Sequence, residues 1–296
     1  MTTPLVAGVD IGTSGVRCLV FDRAGALLST SYREYPTISE RAGWAELDPE
    51  AILDATITVI AEAAQAALAA SPGGRIEAVG LSSALFSVMA VDSAGRPLTR
   101  VLPWMDNRAA GEAEELVASG LAQECYQRTG CRVHPMYPLS KLVWLRRHAP
   151  GVWQAARRFI SIKEHVVEQL TGQRAVDYSV ASSSGYFNIH THEWDDGLLS
   201  LLGLEREQLS PPVDATTQAP LTAAAAGRLG LAPGTPLVWG AGDGMLAHLA
   251  CGCFEPSRFS STIGTSGALR VLARRPLLDD QARTWCYCFD AQTWVA

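Results

Sequence analysis

No G-x-x-x-x-G-K-[ST] motif occurs in the 296 residues, so a P-loop cannot be the source of any phosphate chemistry. No run of five or more Lys/Arg is present and the net charge is −6, which argues against a nucleic-acid partner. The cysteine count is seven, an odd number in a long chain, which does not read as a disulfide framework. Cys251-x-Cys253 and Cys286-x-Cys288 have one intervening residue, which is not a zinc spacing, so buried reduced thiols are expected. The opening Met1-Thr2-Thr3-Pro4 lacks a basic region followed by a long apolar run, so no signal peptide is expected. The Ala-rich stretch 221–254 is interrupted by Arg228, Asp243 and several Gly and Pro residues, so no membrane span is expected there. These absences point to a reducing cytoplasm and a non-membrane chain. What is present is a composition 48% hydrophobic and 18% charged, enough for one large or two ordinary domains.

Residues 5–9, 16–21 and 26–35 are β-compatible segments separated by turns, which predicts a three-stranded antiparallel meander. Asp48-Pro49-Glu50 predicts a helix start, with Asp as cap and Pro at the first helical position, running to about Ala70. Strands follow at 76–82, 87–92 and 98–102, then a mostly helical stretch over 107–170 with a loop at 130–138. Leu237–Gly240 reads as a strand, Ala241-Gly242-Asp243-Gly244 as a tight turn and 245–251 as a helix. The expected class is α/β with a mixed sheet and a helical insertion near 107–210.

One unit recurs. Val9-Asp10-Ile11-Gly12-Thr13-Ser14-Gly15 returns as Ser261-Thr262-Ile263-Gly264-Thr265-Ser266-Gly267, each copy preceded and followed by strand-like sequence. A third strand candidate at 284–289 follows the second copy as 26–35 follows the first. Two domains of similar topology are implied: 1–252, and a second beginning at 253–296.

A Gly-Thr-Ser-Gly hairpin tip suits phosphate, since glycine lets backbone N–H groups approach and the hydroxyls add donors. It also suits an ordinary tight turn. Asp10 beside such a tip calls for a bridging Mg²⁺, or else it caps the turn. Arg17 faces either solvent or phosphate. Asp243, between two glycines at a strand-to-helix turn, can cap the helix and can also take the proton of an attacking hydroxyl, help worth about 10²–10⁴-fold. Trp104-Met105-Asp106-Asn107-Arg108 combines an aromatic face with donors and acceptors suited to a polyol, or is a strand end with a charged helix start. The loop His134–Pro138 before Lys141 and the polar segments Asp177-Tyr178 and Ser182–Gly185 are further cleft candidates.

Together these segments resemble the FGGY carbohydrate kinases of the actin/hexokinase-like superfamily. The resemblance runs from Val6 to Val295 and rests on 8–14 with Arg17, on 240–244 and on 263–267. The segments 129–141 and 177–182 are similar to the gluconate kinase branch. The resemblance implies an actin-like (ribonuclease-H-like) domain followed by the start of a duplicate one. It implies ATP-dependent phosphorylation of gluconate to 6-phosphogluconate, with Asp243 as general base and Asp10 and Asp243 at Mg²⁺. It further implies phosphate binding by Gly12, Thr13, Ser14, Arg17, Gly264, Thr265 and Ser266, and sugar contacts from Trp104, Asp106 and Arg108. Leu85-Phe86 stands where family members often carry Met-His, which opens a xylulokinase-like or other polyol kinase as an alternative. The chain ends within the expected second domain's opening sheet. A non-catalytic sugar-binding piece, binding sugar weakly and associating through an open sheet edge as a homodimer, is therefore a second alternative. An actin-like ATPase is a third.

Overall fold

The structure is a computed structural model that describes residues 3–263 and 267–296. A six-stranded mixed sheet organises the first 250 residues. Strands β1 (Thr3–Ile11), β2 (Gly15–Asp22) and β3 (Leu27–Glu34) form the antiparallel meander, and β4 (Gly74–Ser83) lies parallel to β1 on its other side. The strand Pro236–Gly242 runs parallel to β4, and the short Gln218–Pro220 closes the edge. Parallel neighbours need a crossover. The one between β1 and β4 is α1 (Pro49–Ala70), capped by Asp48, whose carboxylate accepts the N–H groups of Glu50 and Ala51. By length and composition α1 could cross a membrane, but half of its apolar window is buried inside the protein, where the helix lies against β2 and β3.

The alternation in β1 decides which side chains can reach a ligand. Leu5, Ala7, Val9 and Ile11 point into the core shared with α1, while Asp10 points to the other face and is exposed. Register sets Asp10 opposite Arg17 on β2 and Ser82 on β4, and Arg17 opposite Tyr32 on β3. The strands thus carry a polar row, Ser82–Asp10–Arg17–Tyr32, across one face of the sheet.

The insertion holds the helices Ala110–Ala118, Ala122–Thr129, Pro138–His148, Pro150–Ala155, Ile162–Thr171 and Asp196–Leu202. It also holds short strands that periodicity did not reveal, such as Arg158–Ile160 paired with Met89–Val91. The expected strand 98–102 is reduced to isolated bridges, Val101 with Leu47 and Leu102 with Val88, because neither partner continues the ladder.

The second Gly-Thr-Ser-Gly copy is flanked by an antiparallel pair, Phe259–Ile263 with Gly267–Ala273. As in the first copy, three residues separate the strands. The register differs by one, Ile263 facing Gly267 where Ile11 faces Val16. Ile11 is fully buried in a central strand, whereas Ile263 is 89% exposed on an edge strand. The third strand expected at 284–289 does not extend this meander. Only Tyr287–Cys288 is extended, and Trp294–Val295 lies between it and Gly267–Ala273. The physical reason is packing: Cys286, Tyr287 and Cys288 are drawn into the insertion's core, with Cys288 N–H donating to Ser182 Oγ. All seven cysteines are unpaired.

Candidate active site

The strand Pro236–Gly242 is bent by its own glycine. Gly240 sits at φ +60°, and a Cβ there would fall 1.8 Å from the Leu81 carbonyl oxygen, so no other residue lets this strand pass β4 so closely. The strand then ends at Gly242 and the helix Asp243–Ala250 begins. Asp243 thereby stands in the first helical turn, where the backbone dipole favours a carboxylate. Its Oδ1 accepts the Gly244 N–H at 2.6 Å.

Asp243 opens onto a cavity of about 380 Å³, within the size range of small-molecule sites. Although solvent reaches the carboxylate, the protein around it raises its pKa above the ordinary value. Desolvation is the main cause and the nearby Asp10 charge adds to it, while the Gly244 N–H and Arg270 pull the other way. Across the cavity stand Phe86, Tyr137, Trp285 and Tyr287. Phe86 meets Tyr137 edge-on at 5.2 Å, Trp285 stacks on Tyr287 at 4.7 Å, and the Tyr137 and Tyr287 hydroxyls are 2.6 Å apart. Residues after 267 therefore supply part of the wall.

Asp10 accepts a hydrogen bond from Ser82 Oγ at 2.7 Å and influences Asp243 through charge. The tip 12–14 is held from behind, since Gly12 N–H donates to Gly15 O and Tyr35 N–H to Ser14 O, with the Tyr35 hydroxyl on Gly12 O. Trp104, 44% exposed, donates from Nε1 to Thr13 Oγ1 at 2.8 Å, so it touches the hairpin tip. Arg17 is exposed with its guanidinium 5.2 Å from the Tyr32 ring centroid. Gly264, Thr265 and Ser266 lie outside the described residues.

Asp106 and Arg108 face each other rather than the cavity. Asp106 is fully buried, accepting Ala45 N–H at 2.7 Å and Arg108 Nε at 2.9 Å. Arg108 also pairs with Glu46 at 2.7 Å and lies 3.9 Å from the centroid of Trp44. Asp177, Ser182, Ser183 and Ser184 are likewise buried and do not line the cavity.

The chain has two lysines, and both are buried. Lys141 Nζ donates to the carbonyls of Pro103 at 2.6 Å, Met136 at 2.8 Å and Phe86 at 3.2 Å. One ammonium thus ties together three loops, two of which reach the cavity. Burial pushes the Lys141 pKa down to about 7. Phe86 itself has φ +67°, a backbone state unusual for an aromatic residue, and its carbonyl is one of those Lys141 holds. Lys163 lies 2.7 Å from Asp177, which accepts from Ser179 Oγ, and that oxygen accepts the Gly242 N–H at 2.8 Å. The residue before Asp243 is therefore fixed through a buried polar chain. Sequence reasoning did not assign these roles. The scarcity of lysine was the available signal, because a long cation kept at two places only is doing something other than solubilising the surface.

Among the described residues no cluster of three or more His, Cys, Asp or Glu side chains is present. The Asp10–Asp243 pair still fits Mg²⁺, which is commonly held by one or two carboxylates and keeps its waters. The charge coupling between the two is the observation that supports the fit, since a dication between them would relieve it.

An actin-like α/β domain with a carboxylate at a strand-to-helix turn, beside a Gly-Thr-Ser-Gly hairpin, defines the class. The family model for the N-terminal domain of the FGGY family of carbohydrate kinases matches residues 5–250, and the chain belongs to that family. It is 34% identical over 294 residues to a gluconokinase of Bacillus subtilis, covering 99% of this chain and 56% of that one. A gluconate kinase from Lactobacillus acidophilus superposes with a TM-score of 0.95 at 30% identity, covering 99% of this chain and 59% of the other. A ligand-bound xylulose kinase from the same species superposes equally, at 0.95 and 31% identity, with the same coverage. The chain spans somewhat over half the length of these relatives.

Proposed function

We propose that the protein takes part in ATP-dependent phosphorylation of a sugar acid, gluconate to 6-phosphogluconate being the favoured reaction. The observation that carries this reading is Asp243, poised at a helix start and open to an aromatic- and arginine-lined cavity. The substrate hydroxyl gives its proton to the Asp243 carboxylate, and its oxygen attacks the γ-phosphorus of ATP. The bond from that phosphorus to the bridging oxygen breaks, leaving ADP. Desolvation, the main cause of its raised pKa, makes the Asp243 carboxylate a better proton acceptor. Thr13, Ser14 and Arg17 hold phosphate, and the second Gly-Thr-Ser copy, Gly264, Thr265 and Ser266, serves the same role. Mg²⁺ bound by Asp10 and Asp243 would supply charge neutralisation on the phosphates. Trp104 acts at the hairpin tip, and Asp106 with Arg108 supports the adjoining loop from beneath.

We place this chemistry in a reducing compartment, in keeping with the unpaired thiols, of which only Cys251 is exposed. Residues 253–296 open a second domain that repeats the first hairpin but not its third strand, a reading supported by the equal three-residue spacing between the paired strands. A xylulose-type or other neutral polyol substrate is the second reading, favoured by Phe86, which adds no hydrogen bond to a sugar hydroxyl. ADP release measured with gluconate, xylulose, ribulose and glycerol tests the two. Turnover with gluconate highest supports the first, and turnover confined to neutral sugars refutes it.

A further inference from the structure

Resting on the sugar-kinase reading above, we propose that Arg132 anchors the carboxylate of the substrate and so makes the site select a sugar acid over a neutral polyol of equal length. Four side chains capable of positive charge line the cavity: Arg132, His134, Arg270 and Arg283. Three of them are otherwise engaged. Arg283 binds Asp279 twice, Nη2 to Oδ1 at 2.6 Å and Nε to Oδ2 at 3.0 Å. Arg270 donates to Thr262 Oγ1 at 3.0 Å, and its charge acts on Asp243. His134 is held towards its neutral form by desolvation and by the Arg132 and Lys141 charges. Its Nδ1 lies 3.2 Å from the Met136 N–H, which it accepts, so the ring proton sits on Nε2, a donor for a hydroxyl.

Arg132 remains as the arginine of this wall whose side chain has neither a hydrogen-bond nor an ion-pair partner among the described residues, whereas Arg270 is tied to Thr262 and Arg283 to Asp279. Arg132 and Asp243 line the same cavity. A hydroxyl at Asp243 and a carboxylate at Arg132 would fix both parts of one substrate. The base of Arg132 is rigid. Gly130 has φ +68° and passes so close to Cys286 that a Cβ would fall 2.0 Å from its carbonyl oxygen. Cys286 N–H donates to Gly130 O, and Cys131 Sγ to Ser182 O at 3.1 Å. Lys141 holds Met136 on the loop's other side. A guanidinium on such a support loses little freedom when it binds, and its planar fork matches a carboxylate as an ammonium does not.

The test is calorimetric titration of the purified protein with gluconate and with sorbitol, a neutral six-carbon polyol, using wild type, Arg132→Met and Arg132→Lys. Wild type is expected to prefer gluconate by about tenfold or more, the scale of one charge-assisted contact. Arg132→Met should lose that preference with sorbitol affinity and melting temperature unchanged, and Arg132→Lys should restore part of it. Gluconate binding as tight in Arg132→Met as in wild type overturns the proposal and leaves the kinase reading standing. Equal wild-type affinity for the two ligands also overturns it. A wild type that binds neither of them, nor xylulose or glycerol, overturns the kinase reading with it.

Discussion

Replacing Lys141 by Met keeps the volume and removes the ammonium that three carbonyls share. Each buried acceptor left without a donor costs about 1–3 kcal/mol. Water entry and the returned cost of burying a cation offset part of the sum, leaving a loss of about 3–5 kcal/mol, as for other broken buried charge contacts. For a chain of this size that is a fall of roughly 6–15 °C in melting temperature. Loss of the tie on Phe86 and Met136 should also loosen the cavity wall, weakening gluconate binding more than tenfold by about the same scale of energy. The pH dependence gives an independent check. Lys141 has its pKa lowered to about 7 from 10.5, so between these values the unfolded chain holds a proton that the folded chain has released. Stability of the wild type should therefore rise from pH 7 towards pH 10, and the difference from Lys141→Met should grow with it. Thermal unfolding of both proteins from pH 6 to 9 measures this. A loss under about 1 kcal/mol would refute the reading of Lys141 as a tie between loops. A pH-independent difference would show that the three carbonyls cancel the burial cost.

Asp243→Asn in the whole enzyme should cut turnover by about 10²-fold or more with little change in melting temperature, and normal ADP production would remove Asp243 from the mechanism. Because desolvation and Asp10 raise the Asp243 pKa, activity should rise with pH through a value above the ordinary aspartate range. Asp10→Asn should shift that limb of the pH–rate profile to lower pH, and an unmoved limb would uncouple the two carboxylates. Trp104→Phe removes the donor to Thr13 and should weaken nucleotide binding by about fivefold, roughly 1 kcal/mol, in a fluorescence titration. Arg108→Met leaves Asp106 buried without its cation and should cost about 3–5 kcal/mol in denaturant unfolding, while a loss under 1 kcal/mol would make the pair dispensable.

Local sequence carried much of the framework because local physics decides it. The alternation in Leu5–Ile11 and the Asp48-Pro49 start of α1 depend on neighbours within one turn or one strand, and both stand where expected. The Gly240–Gly244 segment was legible for the same reason: only a chain that must bend sharply and end in a helix needs glycines around a lone Asp. What tertiary structure alone decided is which polar groups meet. Trp104-Met105-Asp106-Asn107-Arg108 reads as a single polar cluster, yet the fold sends Trp104 to Thr13 and turns Asp106 and Arg108 inward to Ala45 and Glu46. The segment 284–289 has strand-like sequence, but the insertion's core claims Cys286–Cys288 and the meander is not repeated. Lys141 finds carbonyls 55 and 38 residues away, and Arg132 reaches a cavity whose other walls come from 85–86, 243–245 and 268–287. Sequence determines propensity over a few residues, whereas desolvation and partner choice depend on groups brought together by packing. The opening meander, the Asp48 cap of α1 and the strand-to-helix turn at Asp243 could therefore be read in advance, and the ties that hold the cavity could not.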